Sequence, residues 1–375
     1  MISIGWCNLK RDPARLTVAV LGVVFSVVLV TVEVGMLIGM LRNASLLIDT
    51  SKADLWVCSP NVKTFDFAPP FNLRKKDRIG AIPGVERVEE YCVSYSACKL
   101  SNGAEVNIEV IGFDERGELA PQLSLVEGRL EDIHNQDAVI LDEADKAKLG
   151  NVKLNDTIEI LNHRARVVGF THGMRAFTTT PYVFTSMRSS HKYSFRADAD
   201  SAIYLLVKTA PGANVNAVRD AIRGSVSEIE VHTSAEFSWK TRSYWLVQTG
   251  IGMAFLGAAF LGLLVGGAIV SQTLYAMTLE KLPEFGVLKA LGASMYEISG
   301  VVLQQGFICG VAGLVLGLLA SFAISAAATQ AGTSVEITAT LVGAVVAITA
   351  GLCAAAALVS IHRLRRLEPA AVFRT

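Results

Sequence analysis

Apolar positions cluster in four runs, at about Leu16 to Leu41, Trp245 to Gln272, Ile298 to Thr329 and Ile337 to Ile361. Each is long enough to cross a hydrocarbon core, which takes roughly 20 helical residues. Between the first and second runs lie about 200 residues of mixed composition, the size of a whole domain. There the pattern changes to short alternating segments. LRKKDRIGAI reads as a short helix closed by the turn at Gly84, followed by a long strand, VERVEEYCVSYSACKL. Asn102 and Gly103 then signal a hairpin into EVNIEVIGF. This predicts a helix on an antiparallel sheet. From about 114 to 199 short strands dominate, with one helix around Glu143 to Leu149, before SAIYLLVKT and VNAVRDAIRGSV return as a strand and a helix. The β-rich part therefore reads as an insertion.

The predicted fold is an α-helical membrane protein with four transmembrane helices and a large extracytoplasmic α+β domain between helices 1 and 2. Residues 1–42 hold an amphipathic N-terminal segment and the first helix, and 43–243 hold the α+β domain. Residues 244–375 hold the other three helices, a cytoplasmic loop at about 274–297 and a basic tail. The amphipathic segment interleaves Ile4, Trp6 and Leu9 with Asn8, Lys10 and Arg11. The first run exceeds a signal-peptide core and has no cleavage site after it, so it reads as a retained anchor.

Composition agrees with a membrane protein: 51% of residues are hydrophobic and only 18% charged, which excludes an ordinary soluble chain. Thirty-four basic and 34 acidic residues balance, and no basic face points to nucleic acid. Lys10, Arg11 and Arg15 precede the first run; Arg363, Arg365, Arg366 and Arg374 follow the last. The connection TQAGTSVE has neither Lys nor Arg. Both termini are thus expected in the cytoplasm and the large domain outside.

Candidate chemistry is sparse. The sequence has no GxxxxGK[ST] phosphate loop and no GxSxG elbow. His134, His163, His172, His191, His232 and His362 show no ligand spacing and read as surface residues, so no metal and no catalytic residue is assigned. The pairs Glu89/Glu90 and Asp142/Glu143 read as solvated faces. Of the cysteines, Cys58, Cys92 and Cys98 fall in the outer domain, as buried thiols or with one disulfide from Cys58 to Cys92 or Cys98. Glu33, Gln304 and Gln305 form a candidate intramembrane polar set; Glu33 reads most simply as lying near the outer surface.

One stretch stands apart. TLEKLPEFGVLKALGAS, Thr278 to Ser294, sets Glu280, Lys281, Glu284 and Lys289 beside Leu282, Phe285, Leu288 and Leu291 between two membrane-length runs. Such charge belongs outside the bilayer. The run resembles the cytoplasmic loop of the MacB/FtsX-type (type VII) ABC transporter permeases through Glu284, Gly286, Leu288, Lys289, Ala290, Gly292 and Ala293, with Pro369 and Arg374 in the tail. Lys281, Leu282 and Pro283 replace the family's Arg-rich run, and Phe285 its common isoleucine, which looks more like the DevC/HrtB-like exporter branch.

The resemblance implies a porter-like outer subdomain with a β-rich insertion, a homodimer and a bacterial inner-membrane location. It also implies two copies of a cytoplasmic ABC ATPase that bind the ATP and Mg. Glu280, Lys281, Glu284, Phe285, Gly286, Leu288, Lys289 and Gly292 would couple to that ATPase, with Phe285 and Leu288 as apolar anchor. A membrane-fusion adaptor with an outer-membrane channel is a further implied partner. The implied function is export or extraction of a lipophilic or amphipathic substrate by mechanotransmission. FtsX-like relay of a signal to an outer partner is the alternative.

Overall fold

A computed structural model describes residues 12–100, 102–114, 116–195, 200–290, 292–330 and 333–365. The amphipathic segment before Asp12, Cys7, and the tail with Pro369 and Arg374 lie outside the described residues. The chain divides into two compact units, one of residues up to Gly39 with Ile251 onward, the other Met40–Gly250.

Four helices, α1 (Pro13–Asp49), α6 (Ile251–Glu280), α8 (Met295–Gln330) and α9 (Ala339–Arg365), carry segments long and apolar enough to span a membrane. The second differs from the sequence expectation. Tyr244–Gln248 winds as a π-helix and Gly250 takes φ +77°, so α6 starts at Ile251 and runs on to Glu280. Lipid tails offer apolar side chains nothing new, so these helices associate through close approach of small residues. A Cβ on Gly266 would lie 2.6 Å from Ser26 Cβ, and one on Gly22 would lie 2.7 Å from Ile269 Cγ2. The Ser26 hydroxyl donates to the Gly262 carbonyl at 3.1 Å. On α8, Gly313 and Gly317, four residues apart, meet Val23 and Val27 of α1 in the same way. Val23, Val27, Val270, Leu274, Val302, Val345 and Ala357 bury the seam.

The outer unit is built on a ten-stranded sheet. Its strands are β1 (Leu55–Cys58), β3 (Val85–Lys99), β4 (Glu105–Phe113), β5 (Leu125–Gly128), β6 (Ala138–Asp142), β7 (Thr157–Ile160), β8 (His163–Thr171), β9 (Tyr182–Ser186), β11 (Tyr204–Thr209) and β12 (Glu230–Thr233). The order is β12-β1-β11-β3-β4-β9-β6-β8-β5, with β7 against β3 and β8. A two-residue ribbon of β2 (Phe71–Asn72) and β10 (Ser201–Ala202) stands apart. The sheet is mixed rather than antiparallel, because β4 pairs β9 and β6 pairs β8 in parallel. Strands from 114–199 continue this same sheet.

Helices α2 (Lys75–Gly80), α3 (Met187–Tyr193), α4 (Val215–Ser225) and α5 (Ser234–Ser243) complete the unit. The helix expected at Glu143–Leu149 is only a 3₁₀ turn, Glu143–Asp145, whereas α3 follows β9 unforeseen, capped by the Ser186 hydroxyl. Helix α5 opens with a full capping box between Thr233 and Glu236.

Side chains alternate across β1. Leu55 and Val57 pack with Ile79 of α2 and with Val218 and Ile222 of α4. Trp56, on the other face, is ringed by Phe65, Tyr91, Tyr204 and Phe237, with centroids 5.5 to 5.8 Å away. Edge-to-face contacts of this kind add about 0.5–1.5 kcal/mol per pair beyond burial. Cys58, Cys92, Cys98, Cys309 and Cys353 are buried free thiols, so no disulfide joins those of the outer unit.

Two acid pairs expected in solvent are in part interior. The Glu89 carboxylate accepts from the backbone N–H groups of Glu118 and Leu119 at 2.9 and 3.0 Å. Asp142, fully buried, accepts from the N–H groups of Ala144 and Met174 and from the Thr171 hydroxyl. Turns entering a sheet leave backbone donors unpaired, and these carboxylates satisfy them.

Candidate coupling surface and polar sites

Helix α6 ends at Glu280, Lys281 makes the turn, and the short α7 (Leu282–Ala290) follows, with Pro283 in its first turn where a missing N–H costs nothing. Gly292, at φ +98°, turns the chain as few other residues could. Ser294 then caps α8 reciprocally: its N–H donates to Glu297 Oε2 at 2.7 Å, and its hydroxyl accepts from the Glu297 N–H at 3.4 Å. Both ends of the charged island are thus fixed by local chemistry.

Within it the expected residues separate. Glu280 pairs with Arg15 at the start of α1, and Lys281 Nζ lies 2.5 Å from Glu284 Oε1. Glu284 and Pro283 are exposed. Phe285, expected to face a partner, is only 6% exposed; among the described side chains of α7 the outward apolar residue is Val287, 60% exposed. Nothing lies within 4 Å of a Cβ placed on Gly286. The backbone of Leu288 and Lys289 continues α7, and their side chains lie outside the described residues. At the start of α8, Tyr296 is 83% exposed. The exposure of Val287 and Tyr296 is not readable from the sequence, because a single apolar residue among charges gives no sign of which way it faces.

The intramembrane polar set does not assemble into one site. Glu33 is half-buried and lies near Gly35 and Gly39, which abut the α8–α9 connection: the Glu336 N–H donates to the Gly35 carbonyl at 3.0 Å, and a Cβ on Gly39 would lie 2.5 Å from Ser334 O. Glu33 is therefore roughly 30 Å along α1 from Pro13, whereas Gln304 and Gln305 are only about 15 Å along α8 from its capped start. Gln305 is buried. Gln304 lines an apolar groove of about 600 Å³ between α8 and α9, with Leu303, Phe307, Val311, Val346 and Cys353.

A buried acidic site in the outer unit went unpredicted. Glu109 of β4 stands opposite Tyr95 of β3 and Tyr182 of β9, fully buried, and neither carboxylate oxygen has a partner among the described residues. Burial drives its pKa well up, and nearby Asp66 adds to the rise. Asp66 is itself shifted upward by burial, against hydrogen bonds from Thr64 and the Trp245 indole at 3.0 and 3.2 Å. The strand pattern hid Glu109 because both faces of β4 are covered, so alternation there says nothing about depth.

Against this geometry stand the comparisons with known proteins. A family model of the MacB-like periplasmic core domain matches residues 16–225, and one of the FtsX-like permease C-terminal region matches residues 256–369. No curated protein matches the chain. Among solved structures, the chain is similar to the periplasmic region of MacB from Actinobacillus actinomycetemcomitans, at 15% identity and a TM-score of 0.39, over 50% of this chain and 92% of that one. It is also similar to the extracellular domain of the noncanonic ABC-type transporter YknZ from Gram-positive bacteria, at 13% identity and a TM-score of 0.36, over 48% and 99%. A domain of a putative permease protein from Porphyromonas gingivalis matches at 11% identity and a TM-score of 0.33, over 47% and 86%.

Proposed function

Because the chain belongs to the family of MacB/FtsX-type ABC transporter permeases, we propose that it is the membrane subunit of an exporter driven by a separate cytoplasmic ATPase. The observation that carries this reading is α7, a short charged helix held between two membrane-length helices with Glu284 and Val287 turned outward. ATP and Mg²⁺ are bound by two copies of the partner. The ATPase grips α7 through Glu284 and Val287, while buried Phe285 fastens the helix from beneath. An apolar contact ringed by charge is the usual anatomy of such a joint.

In this reading both termini and α7 are cytoplasmic, the sheet domain lies outside the inner membrane, and two copies of the chain work together. Closure of the ATPases displaces α7, and α6 and α8, which flank it in sequence, carry the displacement through the bilayer. The substrate is lipophilic or amphipathic and is taken up at the outer leaflet. Lys281, Leu282, Pro283 and Phe285 favour the DevC/HrtB-like branch. The FtsX-like match over residues 256–369 supports a second reading, in which the same parts relay a signal to an outer partner.

A photoreactive residue at Val287, with mass spectrometry of the adducts formed in the native host, tests the joint. An ABC ATPase is expected in the adduct, and Glu284→Arg with Val287→Asp should lower its co-purification by about tenfold or more. Adducts with lipid alone would remove the motor and end this reading. A membrane-fusion adaptor among the co-purified proteins marks export; a cell-wall hydrolase marks relay.

A further inference from the structure

The outer unit brings Cys58 together with two side chains that lie about 170 residues later in the sequence, Glu230 and His232. Cys58 ends β1 and Glu230 begins β12, and the two are direct partners in the antiparallel ladder. His232 follows two residues later and so points to the same side of β12. One ligand atom from each, Sγ, a carboxylate oxygen and a ring nitrogen, lies within 4.8 Å of the others. His232 is half-buried, not a surface residue, and its ring stacks on Phe237 at 5.8 Å and 6°.

We propose that Cys58, Glu230 and His232 form a binding site for a divalent transition-metal ion of borderline softness, Zn²⁺ being the type case, and that the Lys240 ammonium is the resident cation this metal displaces. The site already holds a positive charge: Lys240 Nζ lies 2.8 Å from Glu230 Oε2 and 3.2 Å from His232 Nε2. His232 Nε2 faces both Lys240 Nζ and, at 3.1 Å, Glu230 Oε2, so a metal that takes the ammonium's place meets the carboxylate oxygen and this ring nitrogen together, with the ring proton on Nδ1.

The donor set of one sulfur, one nitrogen and one oxygen suits Zn²⁺, with a fourth position left for water. Metal–ligand distances of about 2.0–2.3 Å place tetrahedral ligands roughly 3.5 Å apart, so rotamer changes of about an ångström close the set. Cys58 is a buried free thiol. Binding then forms an S–metal bond and releases the thiol proton to solvent: Cys–SH + M²⁺ gives Cys–S–M⁺ + H⁺. Lys240 swings into water, its side chain already one-third exposed. The stacked Phe237 holds the imidazole plane, the orienting role a neighbour of a metal-bound histidine commonly plays.

The site is independent of ATPase docking, and so is its test. Tag-free full-length protein in detergent micelles is titrated with Co²⁺, whose thiolate charge-transfer absorption reports a sulfur ligand, and then with Zn²⁺ in weakly buffered indicator to count protons. One metal per chain, a thiolate band and one proton released per Zn²⁺ are expected. Cys58→Ser should abolish the band and His232→Gln should weaken binding by at least about tenfold, the scale typical of lost metal-site groups. Lys240→Gln leaves the core untouched and should tighten binding by about tenfold, because it removes the competing charge. A band that survives Cys58→Ser, or no band in either wild type or Lys240→Gln, overturns the site. Equal affinity in wild type and Lys240→Gln overturns the displacement of the lysine.

Discussion

Gly313→Leu is expected to prevent the membrane unit from assembling, and Gly313→Ala to cost about 1–3 kcal/mol, the usual penalty of an overpacked contact. At Gly313 an added Cβ would sit 2.6 Å from Val23 Cγ1 and 3.1 Å from the Val20 carbonyl oxygen; at Gly317 it would sit 2.7 Å from Val27 Cβ. Backbone lines the contact on one side and a β-branched side chain with restricted rotamers on the other, so neither yields cheaply. Leucine would force α1 and α8 apart along the whole seam. Unfolding in mixed micelles with increasing dodecyl sulfate, followed by circular dichroism, would give the loss directly. Gly351→Ala is the control, since nothing lies within 4 Å of its added Cβ. A Gly313→Leu protein that melts with the wild type would show that this seam does not hold the bundle.

Glu109→Met should stabilise the outer unit by about 1–3 kcal/mol above neutral pH, because it replaces a buried carboxyl without partners by an apolar chain of similar size. Proton counts give the sign. An unfolded glutamate ionises near 4.5, while burial holds the folded Glu109 carboxyl well above that. Between the two values the native state carries one proton more than the unfolded state, so wild-type stability falls as pH rises through that window. Below it the group contributes no pH dependence. Asp66, shifted the same way, retains part of the slope in the variant. Urea unfolding followed by tryptophan fluorescence at about pH 5 and pH 8 should show a smaller loss in Glu109→Met than in wild type. A variant weaker than wild type at the higher pH would mean that the carboxylate has a partner after all.

The membrane spans were legible because a span is a one-dimensional property: a run of apolar residues of sufficient length declares itself. The start of the second span was not, since Tyr244–Gln248 blend in apolar character into the helix beyond them and only the backbone at Gly250 separates the two. The charged island announced itself by contrast with its flanks, yet which of its residues face outward depends on packing beneath, and Phe285 is buried where Val287 is exposed. In the outer unit the long β3 and the hairpin to β4 could be read from local alternation and Asn102–Gly103. The parallel pairs β4–β9 and β6–β8 are long-range and leave no local mark. Cys58, Glu230 and His232 escaped for the same reason, because a ladder, not a spacing, makes them neighbours.

The place of β1 between β11 and β12 has a consequence for the order in which the domain can be made. β1 is synthesised first, yet both of its ladder partners come about 150 to 180 residues later, a separation that delays pairing. At about 5–20 residues per second, Trp56 waits roughly ten to thirty seconds for the strands that will enclose it. The β3–β4 hairpin, made of near neighbours in sequence, is free to form meanwhile. A nascent chain halted before Glu230 would therefore hold a folded centre beside an open edge, and the last stretch to close the sheet emerges only as the second membrane span is about to be translated.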